Sequence, residues 1–131
     1  MAKLQPLFIL LDGSTRVNDL EHLRDQLREF AAARDWDQFH SPKNLAMALA
    51  AEAGELLEIF QWLTEAQSRS LDTAAGAAAS EEVADVLLYL IRLSDTLGID
   101  LIAAAKRKLV ANAEKYPVDK ARGSSRKYTE L

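Results

Sequence analysis

Residues 45–63 read LAMALAAEAGELLEIFQWL, and this stretch decides the fold class. Its bulky apolar side chains recur at a helical spacing and would line one face of a long helix. They are Leu45, Leu49, Leu56, Ile59 and Leu63. The same spacing leaves room for one more leucine between Leu49 and Leu56, and the chain has Glu52 there. The stretch therefore predicts a helix that carries an acid inside its apolar stripe.

Capping signals on either side of this stretch predict three further helices. Ser, Asp or Asn before an apolar run marks a helix start, and Gly or Pro after the run marks its end. The four predicted helices run from Asn18 to about Arg34, from Ser41 to about Thr64, from Ser80 to Gly98, and from Asp100 to Tyr116. Residues 67–79 are predicted to form a connection, and residues 119–131 an extended or partner-bound tail.

Composition supports an all-α fold, in which the four main helices form a bundle. The chain contains 22 Ala and 21 Leu but only 5 Val and 5 Ile, which favours helix over sheet. A length of 131 residues suits one hydrophobic core. We therefore predict a single domain at residues 18–131, preceded by an N-terminal extension at residues 1–17.

Cysteine is absent, which excludes disulfides, thiolate metal sites and cysteine nucleophiles and favours the cytoplasm. The longest early apolar run, residues 7–11, is far shorter than the ~20 residues of a membrane helix. No secretion or membrane anchoring is expected.

Charge is distributed unevenly along the chain. Residues 1–105 carry 8 basic and 17 acidic groups, whereas residues 106–131 carry 8 basic and 3 acidic groups. Two interpretations stay open: acids that hold a cation while the basic groups meet an anion, or a basic tail that is merely solvated.

Two pairs of acids stand at a spacing that suits metal binding. Glu52 and Glu55 are three residues apart, as are Glu82 and Asp85, so each pair projects from one helix face. Four facing carboxylates would repel one another unless a cation neutralised them. Oxygen-only ligands select hard ions such as Mg²⁺ or Mn²⁺. A single pair of this kind is more often a solvated surface, and the remaining acids are interpreted as surface or capping groups: Glu58, Glu65, Glu81, Asp95 and Asp100.

The third predicted helix carries two stripes. Its apolar stripe consists of Val83, Val86, Leu90, Leu93 and Leu97. Beside it runs a polar stripe of Glu82, Asp85, Tyr89 and Arg92. Because Glu52 interrupts the apolar face of the preceding helix, we expect the polar stripe to face Glu52 and not the solvent.

The acid pairs resemble the E-x-x-E…E-x-x-D signature of the MazG-like all-α nucleoside triphosphate pyrophosphohydrolases. Four further segments resemble the dCTP pyrophosphatase branch of this family: RDWDQFH at 34–40, FQW at 60–62, DVLLYL at 85–90 and SRKYTEL at 125–131. The resemblance covers roughly residues 18–131. It implies Mg²⁺-dependent cleavage of the α–β anhydride of dCTP or a modified dCTP. It also implies homo-oligomers, either dimers or dimers of dimers (a homotetramer), in the cytoplasm.

The resemblance also implies roles for individual residues. Glu52, Glu55, Glu82 and Asp85 would be the metal ligands, and Glu55 would also be the catalytic base. The implied substrate-binding residues are Trp36, Asp37, Gln38, Phe39, His40, Trp62, Tyr89, Lys108, Asn112, Lys115 and Tyr116.

Trp62 lies seven residues beyond Glu55, so on a continuous helix it could stack on a nucleobase, or it could belong to the core. Leu27 stands nine residues before Trp36, where eukaryotic relatives tend to have histidine.

Two alternatives differ from this interpretation. The first keeps the reaction but changes the substrate to dUTP, another non-standard triphosphate or phosphoribosyl-ATP. The second is a non-enzymatic helical oligomer in which the carboxylates hold metal or are structural and the basic tail binds an acidic partner. Neither nucleic acid nor membrane is an expected partner.

Overall fold

The structure is a computed structural model that describes residues 19–131, and within this range it is all-helical. The helices are α1 (Asp19–Ala33), α2 (Pro42–Phe60), α3 (Glu65–Ser68), α4 (Thr73–Thr96), α5 (Leu101–Lys115) and α6 (Val118–Ala121). Short 3₁₀ turns occupy Asp37–Phe39 and Tyr128–Glu130. The all-α prediction is confirmed, whereas the N-terminal extension and the Asn18 cap lie outside the described residues. Among these helices, none has the length and apolar character needed to cross a membrane.

Helix α2 begins where the sequence predicts and ends earlier. The Ser41 hydroxyl accepts a hydrogen bond from the Asn44 backbone N–H at 3.2 Å, and Pro42 follows as the first helical residue. The helix ends at Phe60, so the predicted end near Thr64 is wrong. Thr64 instead starts α3 through a capping box with Gln67, in which each side chain bonds the other residue's backbone.

Helix α4 begins earlier than predicted. Its N-cap is Asp72, whose carboxylate accepts from the Ala75 N–H at 2.8 Å, and Ser80 lies inside the helix. The predicted connection at 67–79 is therefore wrong for the part from Thr73 onward. Alanine has the highest helix propensity, so the alanine run extends the helix instead of interrupting it.

The predicted ends of α1 and α4 and both boundaries of α5 agree with the structure. Gly98 has φ +65°, the left-handed conformation in which a residue after a helix end often sits. Asp100 caps α5 by accepting from the Ala103 N–H at 2.9 Å, and α5 ends at Lys115, before Pro117. The tail is not simply extended, because it contains α6 and a 3₁₀ turn whose Tyr128 ring packs edge-on against Tyr116.

Helix α4 is the centre of the packing. It lies along α2 and also packs against α1, and no other pair of helices in the described residues packs as extensively. The buried apolar side chains are Ala31, Leu45 and Ile91. Val83 and Leu97, predicted in the apolar stripe of α4, are more than half exposed. Helix α5 presents Leu109 and Val110 to solvent, at 70% and 62% exposure.

Candidate functional site

Three carboxylates converge where α2 faces α4. Glu52 comes from α2, and Glu82 and Asp85 come from α4. One oxygen of each lies within 4.8 Å of the others, and all three side chains are half-buried. The polar stripe of α4 therefore faces inward at this end, as the interrupted apolar face of α2 predicts.

The environment of these acids suits a cation. The Glu82 Oε2 atom is buried and has no hydrogen-bond partner among the described residues. Burial raises the pKa of Glu82, and the nearby Glu55 charge and contacts with Glu52 raise it further. The pKa of Glu52 is also raised, first by burial and then by the charges of Glu55 and Asp85. A divalent cation would neutralise this repulsion and give the unpartnered oxygen a ligand role.

Glu55 lies beside the three carboxylates but is not one of the group. It is exposed on α2, one turn after Glu52. Its charge contributes to the raised pKa of both Glu52 and Glu82, which places it close to them. Glu55 thus adds its charge to that of the cluster while keeping contact with solvent.

A cavity of about 500 Å³ opens next to the acids. Asp85 lines it and so connects the cavity to the carboxylate cluster. Its apolar lining residues are Leu23, Leu27, Phe30 and Leu88. Its lining also includes Trp36, His40, Tyr89 and Arg92. This volume and this mixture of apolar and polar groups are typical of a small-molecule site.

The segment after α1 holds Trp36 at the cavity. Asp35 has φ +56°, a left-handed conformation that Asp tolerates better than most residues, and it reverses the chain after α1. Gln38 Nε2 donates to the Asp35 carbonyl at 2.9 Å. Asn44 Nδ2 donates to the Phe39 carbonyl at 2.9 Å, which joins the segment to α2. The Trp36 ring packs edge-on against Phe30, with ring centroids 5.7 Å apart.

An ion-pair network crosses the far end of the cavity. Arg92 contacts Asp37, His40 and Asp95, and Asp95 pairs with Arg28 of α1. Hydrogen bonding from Arg28 lowers the pKa of Asp95, and the charge of Arg92 also lowers it. The interpretation of Asp95 as a solvated surface group is therefore wrong, because its side chain is only 12% exposed.

Several sequence-predicted substrate residues lie outside the cavity lining. Asp37, Gln38 and Phe39 are exposed in the 3₁₀ turn. Trp62 is 86% exposed and follows the end of α2, so it does not continue the helix face of Glu55. The four predicted residues of the last main helix are exposed on or just after α5: Lys108, Asn112, Lys115 and Tyr116.

Sequence reasoning did not identify most of the lining that α1 supplies. Leu23, Gln26, Leu27 and Phe30 recur at a helical spacing on α1, and this spacing predicts a shared helix face but not what the face contacts. Arg92 was placed in the polar stripe without a partner. The polar stripe was the available signal, because Arg92 lies on the same helix face as Glu82 and Asp85. If those two acids bind a metal, other anions must balance the charge of Arg92.

Comparison with known proteins agrees with this geometry. Human dCTP pyrophosphatase 1 is 47% identical over 114 residues, which is 86% of this chain and 67% of the human protein. The protein of the same name from Rattus norvegicus is 46% identical over the same shares. The crystal structure of a pyrophosphatase from Archaeoglobus fulgidus superposes with a TM-score of 0.71 at 44% identity, covering 75% of this chain and 92% of that one. Residues 47–131 match the MazG-like family, and the chain belongs to that family.

Proposed function

We propose that this protein is a nucleoside triphosphate pyrophosphohydrolase that cleaves the α–β anhydride of dCTP, or of a modified dCTP, to the monophosphate and pyrophosphate. The observation that carries the proposal is the position of Asp85, which belongs both to the carboxylate cluster and to the lining of the cavity. A nucleotide with its phosphates at the cluster would have its base in the cavity. The names of relatives 44–47% identical support dCTP as the substrate.

Glu52, Glu82 and Asp85 would hold the metal, with Glu55 as a fourth ligand or as the base that accepts the proton of the attacking water. Mg²⁺ is the proposed ion, with Mn²⁺ as the alternative, because all the donors are oxygens. When bound, the ion would offset the charge of the triphosphate and polarise the attacked phosphorus. The apo cluster concentrates negative charge, so the carboxylates themselves would repel a triphosphate that arrives without a cation.

The base would lie in the cavity, in contact with its apolar lining residues and the aromatic side chains of Trp36 and Tyr89. Stacking of a base on an aromatic ring is worth about 1 to 3 kcal/mol in nucleic-acid complexes. Leu27 lines the cavity, so its side chain offers the base packing but no hydrogen bond. Trp62 is proposed as an additional stacking surface outside the cavity.

A homo-oligomer, either a dimer or a dimer of dimers, is part of the proposal. The exposed apolar side chains of α5 support it, because a second copy could cover them. The four main helices of each chain would form a bundle within this assembly. Lys108, Asn112, Lys115 and Tyr116 would then serve the triphosphate, from the same or a neighbouring subunit. The proposal also includes a single domain at residues 18–131 and a cytoplasmic location. It includes no nucleic acid and no membrane as partners.

The test is pyrophosphate release with Mg²⁺ and each common NTP, each dNTP and 5-modified dCTPs. We expect hydrolysis of dCTP or a modified dCTP to be the fastest. Glu52→Gln and Asp85→Asn should nearly abolish it while circular dichroism stays unchanged, and Glu58→Gln, an exposed acid of α2, is the matched control. Faster hydrolysis of dUTP than of dCTP would show that the proposed substrate is wrong and that dUTP replaces it. Absence of hydrolysis of every triphosphate would favour a non-enzymatic oligomer.

A further inference from the structure

Arg92 lines the cavity and contacts three residues, two in the turn after α1 and one on its own helix α4. Its side chain is 11% exposed. Nη2 donates to Asp37 Oδ1 at 2.5 Å, Nε donates to His40 Nδ1 at 3.1 Å, and Nη1 lies 3.7 Å from Asp95 Oδ2. The guanidinium therefore ties the turn that contains Asp37 and His40 to helix α4.

Asp95, which contacts Arg92, also pairs with Arg28 and so extends the network without touching His40. Asp95 accepts two hydrogen bonds from Arg28, into Oδ2 from Nε at 2.7 Å and into Oδ1 from Nη2. Arg28 belongs to α1, so the network links α1, α4 and the turn that carries His40. A guanidinium with anions on two sides cannot rotate away from His40 without losing both contacts.

The bond from Arg92 determines where the proton of His40 resides. A guanidinium only donates hydrogen bonds, so the Nδ1 atom that faces it must offer a lone pair. A neutral imidazole with a lone pair on Nδ1 carries its proton on Nε2. A doubly protonated ring would turn an N–H and a positive charge toward Arg92. Burial lowers the pKa of His40, and the Arg92 charge lowers it further, in agreement with this geometry.

We propose that Arg92 is a positioning residue of the cavity, which fixes the ring and the tautomer of His40 so that His40 offers a ligand one neutral N–H donor, at Nε2. The matching ligand group is a hydrogen-bond acceptor, such as a carbonyl oxygen or an unprotonated ring nitrogen of a nucleobase. The identity of the ligand rests on the proposed function, whereas the tautomer is a property of the free protein.

Long-range ¹H–¹⁵N correlation spectra of the full chain, labelled at histidine, test the tautomer directly. The sequence has 2 histidines, and His22 is exposed on α1, so it serves as an internal control. His22→Gln assigns the signals. We expect His40 at neutral pH to show an unprotonated Nδ1 and a protonated Nε2, and His22 to show exchange-averaged nitrogens. A proton on Nδ1, or averaged nitrogens, of His40 in the native protein would overturn the proposal.

Two variants test whether Arg92 is the cause. Arg92→Met keeps a long side chain without donors and should shift the His40 nitrogens toward the averaged values. Asp37→Asn keeps an acceptor for Arg92 and should leave the His40 tautomer intact. Unchanged His40 signals in Arg92→Met would contradict the proposal, and if that variant does not fold, the spectrum of the native protein still decides.

Kinetics with dCTP test the consequence for binding. Arg92→Met should raise KM about tenfold with a smaller change in kcat, because an ill-oriented donor weakens binding more than chemistry. Arg28→Met breaks the outer ion pair and leaves the Arg92 contact to His40, so its KM should stay near that of the native protein. A fall in kcat at constant KM in Arg92→Met would contradict the proposal. If the native protein hydrolyses no triphosphate, the proposed function fails and the spectra alone decide the role of Arg92.

Discussion

Glu52 affects both the packing of α2 and the carboxylate cluster between α2 and α4. An acid at a leucine position of α2 is unfavourable for packing, and in the fold it faces Glu82 and Asp85 from α4. Its raised pKa comes from burial and from neighbouring carboxylates, so the folded protein without metal disfavours its charged form. Local instability and a binding capability therefore have the same origin.

Replacing Glu52 by Gln should stabilise the metal-free protein at neutral pH. A carboxyl with a raised pKa in the folded state stabilises the fold below its ordinary pKa, and that contribution is lost as the pH rises through the raised value. The melting temperature of Glu52→Gln should therefore rise relative to that of the native protein as pH increases above about 4.5. Mg²⁺ should raise the melting temperature of the native protein more than that of the variant. Equal melting temperatures with and without Mg²⁺ in the native protein would contradict the metal site.

Trp62→Ala separates a role in binding from a role in packing. Because Trp62 is 86% exposed, its removal should change the melting temperature little. A stacking role predicts a KM for dCTP raised about tenfold to a hundredfold, equivalent to about 1 to 3 kcal/mol. Trp36→Ala is the comparison, because Trp36 packs on Phe30 and its truncation should lower the melting temperature as well. A native KM in Trp62→Ala would end the stacking hypothesis for this residue.

Helix α4 shows how competing local signals are resolved at the scale of an element. Both Asp72 and Ser80 are suitable N-caps, and the segment between them contains Gly76, which weakens helices. The helix nevertheless begins at Thr73, and Ala75, Ala78 and Ala79 are half-buried. The high helix propensity of the alanines around Gly76 favours the earlier start.

Gly76→Ala should stabilise the protein by about 0.5 to 1 kcal/mol, because Gly costs that much relative to Ala inside a helix. A Cβ at Gly76 would meet no heavy atom within 4 Å. Gly98→Ala is the matched control and should destabilise the protein, because Gly98 has φ +65°. Thermal or chemical denaturation measures both. Destabilisation by Gly76→Ala would contradict the helical start at Thr73.

The Arg28–Asp95 pair joins α1 to α4 and should make stability depend on pH. The pKa of Asp95 is below its ordinary value of 3.8, so the pair stabilises the fold above that pH and loses its contribution as the pH falls through the lowered value. Asp95→Asn should cost about 1 kcal/mol at neutral pH, since Arg28 is half exposed. The difference in unfolding free energy between the native protein and Asp95→Asn, measured by denaturation, should shrink toward pH 3. A constant difference would contradict this role of the pair.

At the scale of the whole molecule, few apolar side chains are buried and many are exposed. Ala31, Leu45 and Ile91 are the buried apolar residues of the described range. Helix α5 leaves Leu109 and Val110 largely uncovered. Large exposed apolar surfaces mark sites of association, so the proposed oligomer would bury what one subunit cannot.

Solution scattering at micromolar concentration should give at least twice the mass of one 14.5 kDa chain. Leu109→Glu should lower the measured mass or the melting temperature, because a charge would be placed in an apolar contact. A dilution series shows whether the decrease in mass or melting temperature depends on protein concentration, as loss of association would. A monomeric mass for the native protein would refute the oligomer.

The sequence by itself determined the features that depend on neighbouring residues. Helix ends at Ser41, Gly98 and Asp100 were predictable because a cap is a hydrogen bond, or a backbone angle, within a few residues. The acid pairs were predictable because residues three apart on a helix share a face. The break in the apolar stripe at Glu52 then indicated which faces meet.

Only the tertiary structure decided the features that depend on distant residues. Arg92 contacts His40, which is 52 positions away in the sequence, and Asp37, which is 55 positions away. No local spacing identifies such partners. The cavity draws its walls from α1, the following turn and α4, so its lining depends on how the helices pack. Short-range hydrogen bonds define where helices end, whereas long-range packing and charge pairing define what the helices enclose.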